Sequence, residues 1–156
     1  MIYIVLKFAH VVGAAVILGA GSGIAFFMLM AHLTGDAGFI GRTARVVVIA
    51  DLVFTATAVA LQPVTGWLLM HRAGFTFSES WIVVSMALYL IAGAFWLPVV
   101  WMQTRMRDLA LAAALAGEAL PDEYHRLFRT WFLFGIPGFG AVLAILYLMI
   151  AKPVLF

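Results

Sequence analysis

The chain contains no cysteine, which excludes disulfides, thiolate metal sites and thiol nucleophiles. Charge is scarce too: Asp, Glu, Lys and Arg make up 10% of the residues, against about 25% in soluble domains. The formal charge of +2 comes from scattered basic residues, with no arginine-rich run and no basic stripe interleaved with aromatics. Nucleic acid is therefore not an expected partner. Also missing are a Ser-His-Asp constellation, paired catalytic carboxylates, a phosphate loop and an HExxH motif. No catalytic residue can be named, so any enzymatic chemistry would be supplied by a cofactor.

What the chain has in abundance is hydrocarbon. Hydrophobic residues are 66% of its 156 positions, and the mean hydropathy is +1.14. A soluble domain of about 150 residues leaves roughly a third of its chain surface exposed, so a soluble core could not hide this much apolar surface. A lipid bilayer removes the difficulty. The expected fold is all-α, a four-transmembrane-helix bundle forming a single integral membrane domain over residues 1–156. Apolar runs place the spans at about 2–33, 43–70, 80–102 and 131–151, each reaching the roughly 20 residues that crossing requires. The first run is too long for a signal-peptide core and lacks a cleavage site, so it reads as a retained helix. Between the third and fourth spans, residues 108–129 form a polar, alanine-rich interval, with a helical turn expected to break at Gly117 and Pro121. Helices two to four are expected to extend beyond the lipid there rather than form a separate domain.

Six arginines (Arg42, Arg45, Arg105, Arg107, Arg126, Arg129) flank the first and third loops, against Lys7, Arg72 and Lys152 on the opposite side. The positive-inside rule then turns both termini outward from a bacterial inner membrane, towards the periplasm. Trp81, Trp101, Trp131 and Tyr147 lie near span ends, where an interfacial aromatic belt is expected.

Ionisable residues within such spans are functional candidates by default. His10 lies about two turns inside the first span, with Lys7 at i−3. An imidazole there either bonds a neighbouring helix or serves as an axial ligand to haem iron, and Gly13, Ala14 and Ala15 leave room beside it for a flat macrocycle. Asp51 is expected to pair with Arg45 or Arg42 of its own helix, in preference to carrying a proton. His71 shares the membrane side of His10 and is a candidate second iron ligand, with Arg72 beside it for a propionate. At 1.5 Å per residue, His10 is about 10 Å from the middle of its span and His71 about 20 Å from the middle of its own, so the two differ in level. Met86, Met149 and Gln62 come closer to the level of His10, whereas His32 and His125 read as solvated.

The Gly19-Ala-Gly-Ser-Gly23 segment follows no strand, which excludes a dinucleotide fingerprint. Its GxxxG spacing permits close helix contact, including a homodimer. Pro63, Pro98 and Pro137 each interrupt a span, which requires neighbours or a ligand to repair the backbone.

The opening Leu6-Lys7-Phe8-Ala9-His10, with His32 closing the same span, and the ending Gly135-Ile136-Pro137 to Lys152-Pro153 carry a resemblance. They resemble a bacterial family of predicted integral membrane proteins of unknown function over nearly the whole chain. At the two ends they also resemble, more distantly, the haem-binding membrane protoporphyrinogen IX oxidases and the copper-resistance D membrane proteins. In the oxidases a first-helix Lys-x-x-His motif contributes a haem ligand, which falls here on His10 with Lys7 one turn away. The Asn-Glu that precedes the last-helix proline in the oxidases is Gly135-Ile136 here. The resemblance therefore implies haem binding more directly than porphyrinogen oxidation. The resulting expectation is a haem b membrane protein that passes electrons from a membrane-soluble donor such as quinol or a porphyrinogen. The alternative is a non-redox bundle acting as a small transport component or accessory subunit.

Overall fold

A chain in hydrocarbon must satisfy its backbone N–H and C=O groups internally, and an uninterrupted helix does so. The computed structural model, which describes residues 1–156, is built of four such helices: Ile2–Thr34, Ala37–Ala73, Ser80–Ala116 and Asp122–Ala151. All four are long and apolar enough to cross a membrane. The first three end at Gly35, Gly74 and Gly117, whose φ values of 67°, 76° and 69° are the left-handed turn that glycine adopts without strain. Asp36 opens the second helix, its carboxylate accepting from the Phe39 N–H at 2.7 Å, an N-cap.

Each expected span lies inside a longer helix. The difference is greatest in the polar interval at 108–129, which is helical except for a short connection around Gly117 to Pro121. Leu109 to Ala116 consists only of leucine and alanine, both strong helix formers, so the third helix continues beyond its apolar stretch.

The two ends of the bundle are packed differently. At the arginine-rich end all four helices share one core, in which Met28, Ala31, Ile40, Ala44, Met106 and Tyr124 are fully buried. Gly41 lets the second and third helices approach closely: a Cβ there would lie 2.7 Å from a Leu111 methyl and 3.1 Å from the Leu111 nitrogen. Towards the termini, the Thr57–Ala73 half of the second helix packs along the first helix rather than the third. The two helix pairs separate there, apart from a hydrogen bond between Tyr89 and Val59, and meet again at a small cluster of Met70, Trp81 and Ile82. The C-terminal tail covers this cluster, with Lys152 Nζ 4.8 Å from the Phe75 ring centroid.

Trp101 and Tyr147 are exposed, as an interfacial belt requires, but Trp81 and Trp131 are buried. Those two fill the cores at opposite ends, where a large ring contributes more by packing than by facing headgroups. The helices run through Pro63, Pro98 and Pro137 without a break. Pro63 has no N–H for the carbonyl of Val59 four residues earlier, and the Tyr89 hydroxyl of the third helix donates to that carbonyl instead. Nothing lies within 4 Å of a Cβ built on Gly19 or Gly23, so the GxxxG spacing serves no contact inside the bundle.

Candidate functional site

His10 is half-buried and faces the second helix. Its Nδ1 lies 2.8 Å from the Thr65 hydroxyl, and that hydroxyl donates back to the Leu61 carbonyl at 2.9 Å. A hydroxyl has a single hydrogen to give. Where that hydrogen goes to Leu61, Thr65 accepts from His10, Nδ1 carries the imidazole proton and Nε2 keeps its lone pair; in the other tautomer Thr65 donates to Nδ1. The Gln62 amide donates to the His10 carbonyl at 2.9 Å, fixing the backbone as well as the ring. Two glycines make room for this arrangement. A Cβ at Gly66 would stand 3.2 Å from the ring's Cε1, and one at Gly13 would stand 2.7 Å from the Gln62 amide nitrogen.

Lys7 is exposed a turn nearer the terminus, where with Tyr3, Ile4, Phe8 and Val11 it lines an open hollow of about 410 Å³. His71 is exposed; its Nδ1–H donates to the Trp67 carbonyl at 3.0 Å and its ring packs against Trp67 at 4.5 Å. Arg72 is exposed beside it. The two candidate imidazoles therefore have separate partners on their own sides of the second helix, and no three His, Asp or Glu side chains converge as a metal-holding group. Met149 packs against the Trp81 cluster and Met86 is exposed.

Asp51 departs from expectation. It is 4% exposed, and its partner is Trp96 of the third helix, whose Nε1–H donates to Oδ1 at 3.3 Å. Arg45 and Arg42 are exposed elsewhere. Helical geometry explains the correction: six and nine residues at 3.6 per turn leave both arginines more than a quarter-turn away from the Asp51 face. Asp51 also opens a π-helical segment, Asp51–Ala56, a widened turn found frequently at functional sites.

His32 is held by aromatics at the arginine-rich end. Its ring stacks on Phe128 at 3.6 Å with an interplanar angle of 11°, and its Nδ1 lies 3.2 Å from the Tyr124 hydroxyl. His125 sits edge-on at 5.9 Å. His32 is thus a packed side chain, whereas His125 is exposed as expected. The residues that the sequence reading missed are Thr65, Tyr124 and Phe128. Thr65 carried a signal: with Gln62 it forms a polar i, i+3 pair in an apolar span, on the helix that runs antiparallel to His10.

Residues 4–153 match the family described as "Predicted integral membrane protein (DUF2269)", and the chain belongs to that family. No curated protein and no solved structure matches the chain.

Proposed function

We propose that this multi-pass membrane protein binds haem b through His10 and carries electrons for a membrane-soluble donor such as quinol or a porphyrinogen. One observation carries the reading: the hydrogen-bond chain from Nδ1 through Thr65 to the Leu61 carbonyl. Metal-ligating histidines characteristically donate their second ring nitrogen in this way, which fixes the tautomer and aims the free lone pair. Lys7, in its open hollow one turn away, would meet a propionate, as would Arg72. His71, with its Nε2 free, is the candidate second ligand if the haem bridges towards the termini. Bound haem would supply the one-electron couple; the chain's own residues orient the ligand and neutralise the propionates. In this reading the termini face the periplasmic side and the arginine-rich end faces inward.

The alternative, a non-redox bundle serving as a transport component or accessory subunit, is favoured by the shallow, open form of the hollow beside Lys7. Visible absorption of the protein purified from haem-replete cells separates the two. The haem reading expects a Soret band that is lost in His10→Ala. In Thr65→Val, which leaves the ring without its acceptor, haem affinity falls roughly 10–100-fold. A colourless preparation, or an unchanged spectrum in His10→Ala, overturns it.

A further inference from the structure

Between Arg45 and His71 the second helix carries one ionisable side chain, Asp51. The facing stretches supply no charge. The first helix has no titratable residue between His10 and His32, the third has only Tyr89 between Glu79 and Arg105, and the fourth only Tyr147 between Arg129 and Lys152. The ion pairs of the structure, Arg105–Glu123 and Arg107–Asp108, lie near the arginine-rich end. An ionised carboxylate at Asp51 would thus stand in the apolar middle of the bundle without a counter-ion, a costly state.

Two buried oxygens at this point have no hydrogen-bond partner: Asp51 Oδ2 and Thr55 Oγ1. Their residues are 4% and 5% exposed. Thr55 lies one turn from Asp51 on the same face, and an added hydrogen on Oδ2 gives the carboxyl a donor that its ionised form lacks, while Oδ1 continues to accept from Trp96. A metal cation fits less well, because it needs about six oxygens and the Trp96 N–H already points at the carboxyl. From Asp51 the polar positions continue along one face of the helix. Thr55, Gln62 and Thr65 follow at alternating spacings of four and three with Ala58 between them, and all but the half-buried Thr65 are buried. The last two hold His10. From Asp51 to Thr65 the file climbs fourteen residue rises, or about 21 Å at 1.5 Å per residue.

We propose that Asp51 is a proton-binding site. It is a neutral carboxyl that exchanges its proton along the polar face Thr55–Gln62–Thr65 to the termini end at His10; the seven-residue step from Thr55 to Gln62, about 10 Å, requires water between them. The proposal goes beyond the haem reading and stands whether or not His10 holds iron. Each exchange passes one proton from Asp51 towards His10 and returns one to the same carboxyl, so Asp51 is neutral again when the exchange is complete.

Infrared spectroscopy of the protein in lipid nanodiscs at neutral pH tests it. The other six carboxylate side chains lie outside the central apolar stretches, so a band lost in Asp51→Asn belongs to Asp51. A protonated-carboxyl C=O stretch is expected in the wild type and absent in Asp51→Asn. In D2O the stretch shifts, and Gln62→Leu slows that shift severalfold. Thr55→Val, which removes the neighbouring hydroxyl with little change in shape, moves the stretch and serves if Asp51→Asn does not fold. Loss of an ionised-carboxylate band instead, in Asp51→Asn, overturns the proposal. So does removal of the stretch by added Na⁺, which would make this a cation site, or a D2O shift unaltered in Gln62→Leu, which would deny the route.

Discussion

Two histidines on the first helix, His10 and His32, have been given opposite surroundings. His10 stands where the helix pairs separate and is held by one hydroxyl, with a glycine beneath its ring. His32 lies half-buried at the edge of the four-helix core, with Phe128 stacked on its face and the Tyr124 hydroxyl at its edge. The stacked ring contributes apolar contact to the core, whereas the held ring contributes a polar link between the first two helices. Residue type and depth alone do not distinguish the two. What separates them is the partner across the helix interface: aromatic and packed in one case, polar and sparse in the other. The large apolar core lies at the arginine-rich end, and the proposed site lies at the looser end, away from it.

The comparison breaks if the two ends respond alike to substitution. The largest expected loss is at the closed end: Phe128→Ala removes a ring that is 7% exposed and should cost about 3–5 kcal/mol. It would be read as a large drop in the thermal unfolding temperature in detergent. His10→Ala should leave that temperature nearly unchanged in protein without bound cofactor. Equal drops would mean that His10 is a core residue after all. Next in size is Gly41→Ala, whose methyl meets Leu111 at 2.7 Å. Overpacking there should destabilise by about 1–3 kcal/mol, while Gly23→Ala, which meets nothing within 4 Å, should leave unfolding unchanged. A loss at Gly23 equal to that at Gly41 would show that the GxxxG face is covered by a neighbour in the membrane.

The four spans were legible because apolar runs of sufficient length have one solution in lipid, a closed helix. His10 was legible because an ionisable group in such a run is conspicuous. Its holder Thr65 was not, since a threonine in a helix usually bonds its own preceding turn, as this one also does. Which helix face meets which depends on the antiparallel register of the first two helices. The expected ion pair at Asp51 failed for a related reason: it counted distance along the helix and not rotation around it. The burial of Trp81 and Trp131 was hidden because a tryptophan near a span end looks the same whether it faces headgroups or a core.

A smaller effect tests how the open half tolerates its proline. Tyr89→Phe removes the only side-chain donor seen on the Val59 carbonyl and should cost about 1 kcal/mol, the size of one hydrogen bond. In a Pro63→Ala background the alanine N–H can reach Val59, and the same Tyr89→Phe change should then cost almost nothing. Additive losses in the double variant would show that the tyrosine stabilises by packing and not by repairing the backbone.

The smallest effect belongs to the best-formed ion pair. Arg105 and Glu123 join the third and fourth helices through two bonds, at 2.8 and 3.2 Å, which suggests a clamp. Their side chains are 46% and 42% exposed, however, and an exposed pair gains little over the water it displaces and is screened by salt. The neighbouring helix contact is made by Met106 and Tyr124, each wholly buried, and survives without the pair. Glu123→Gln should therefore leave the unfolding temperature unchanged within error at physiological salt. A clear loss that vanishes on adding salt would assign the pair part of the stability that the closed end is argued to draw from its apolar core.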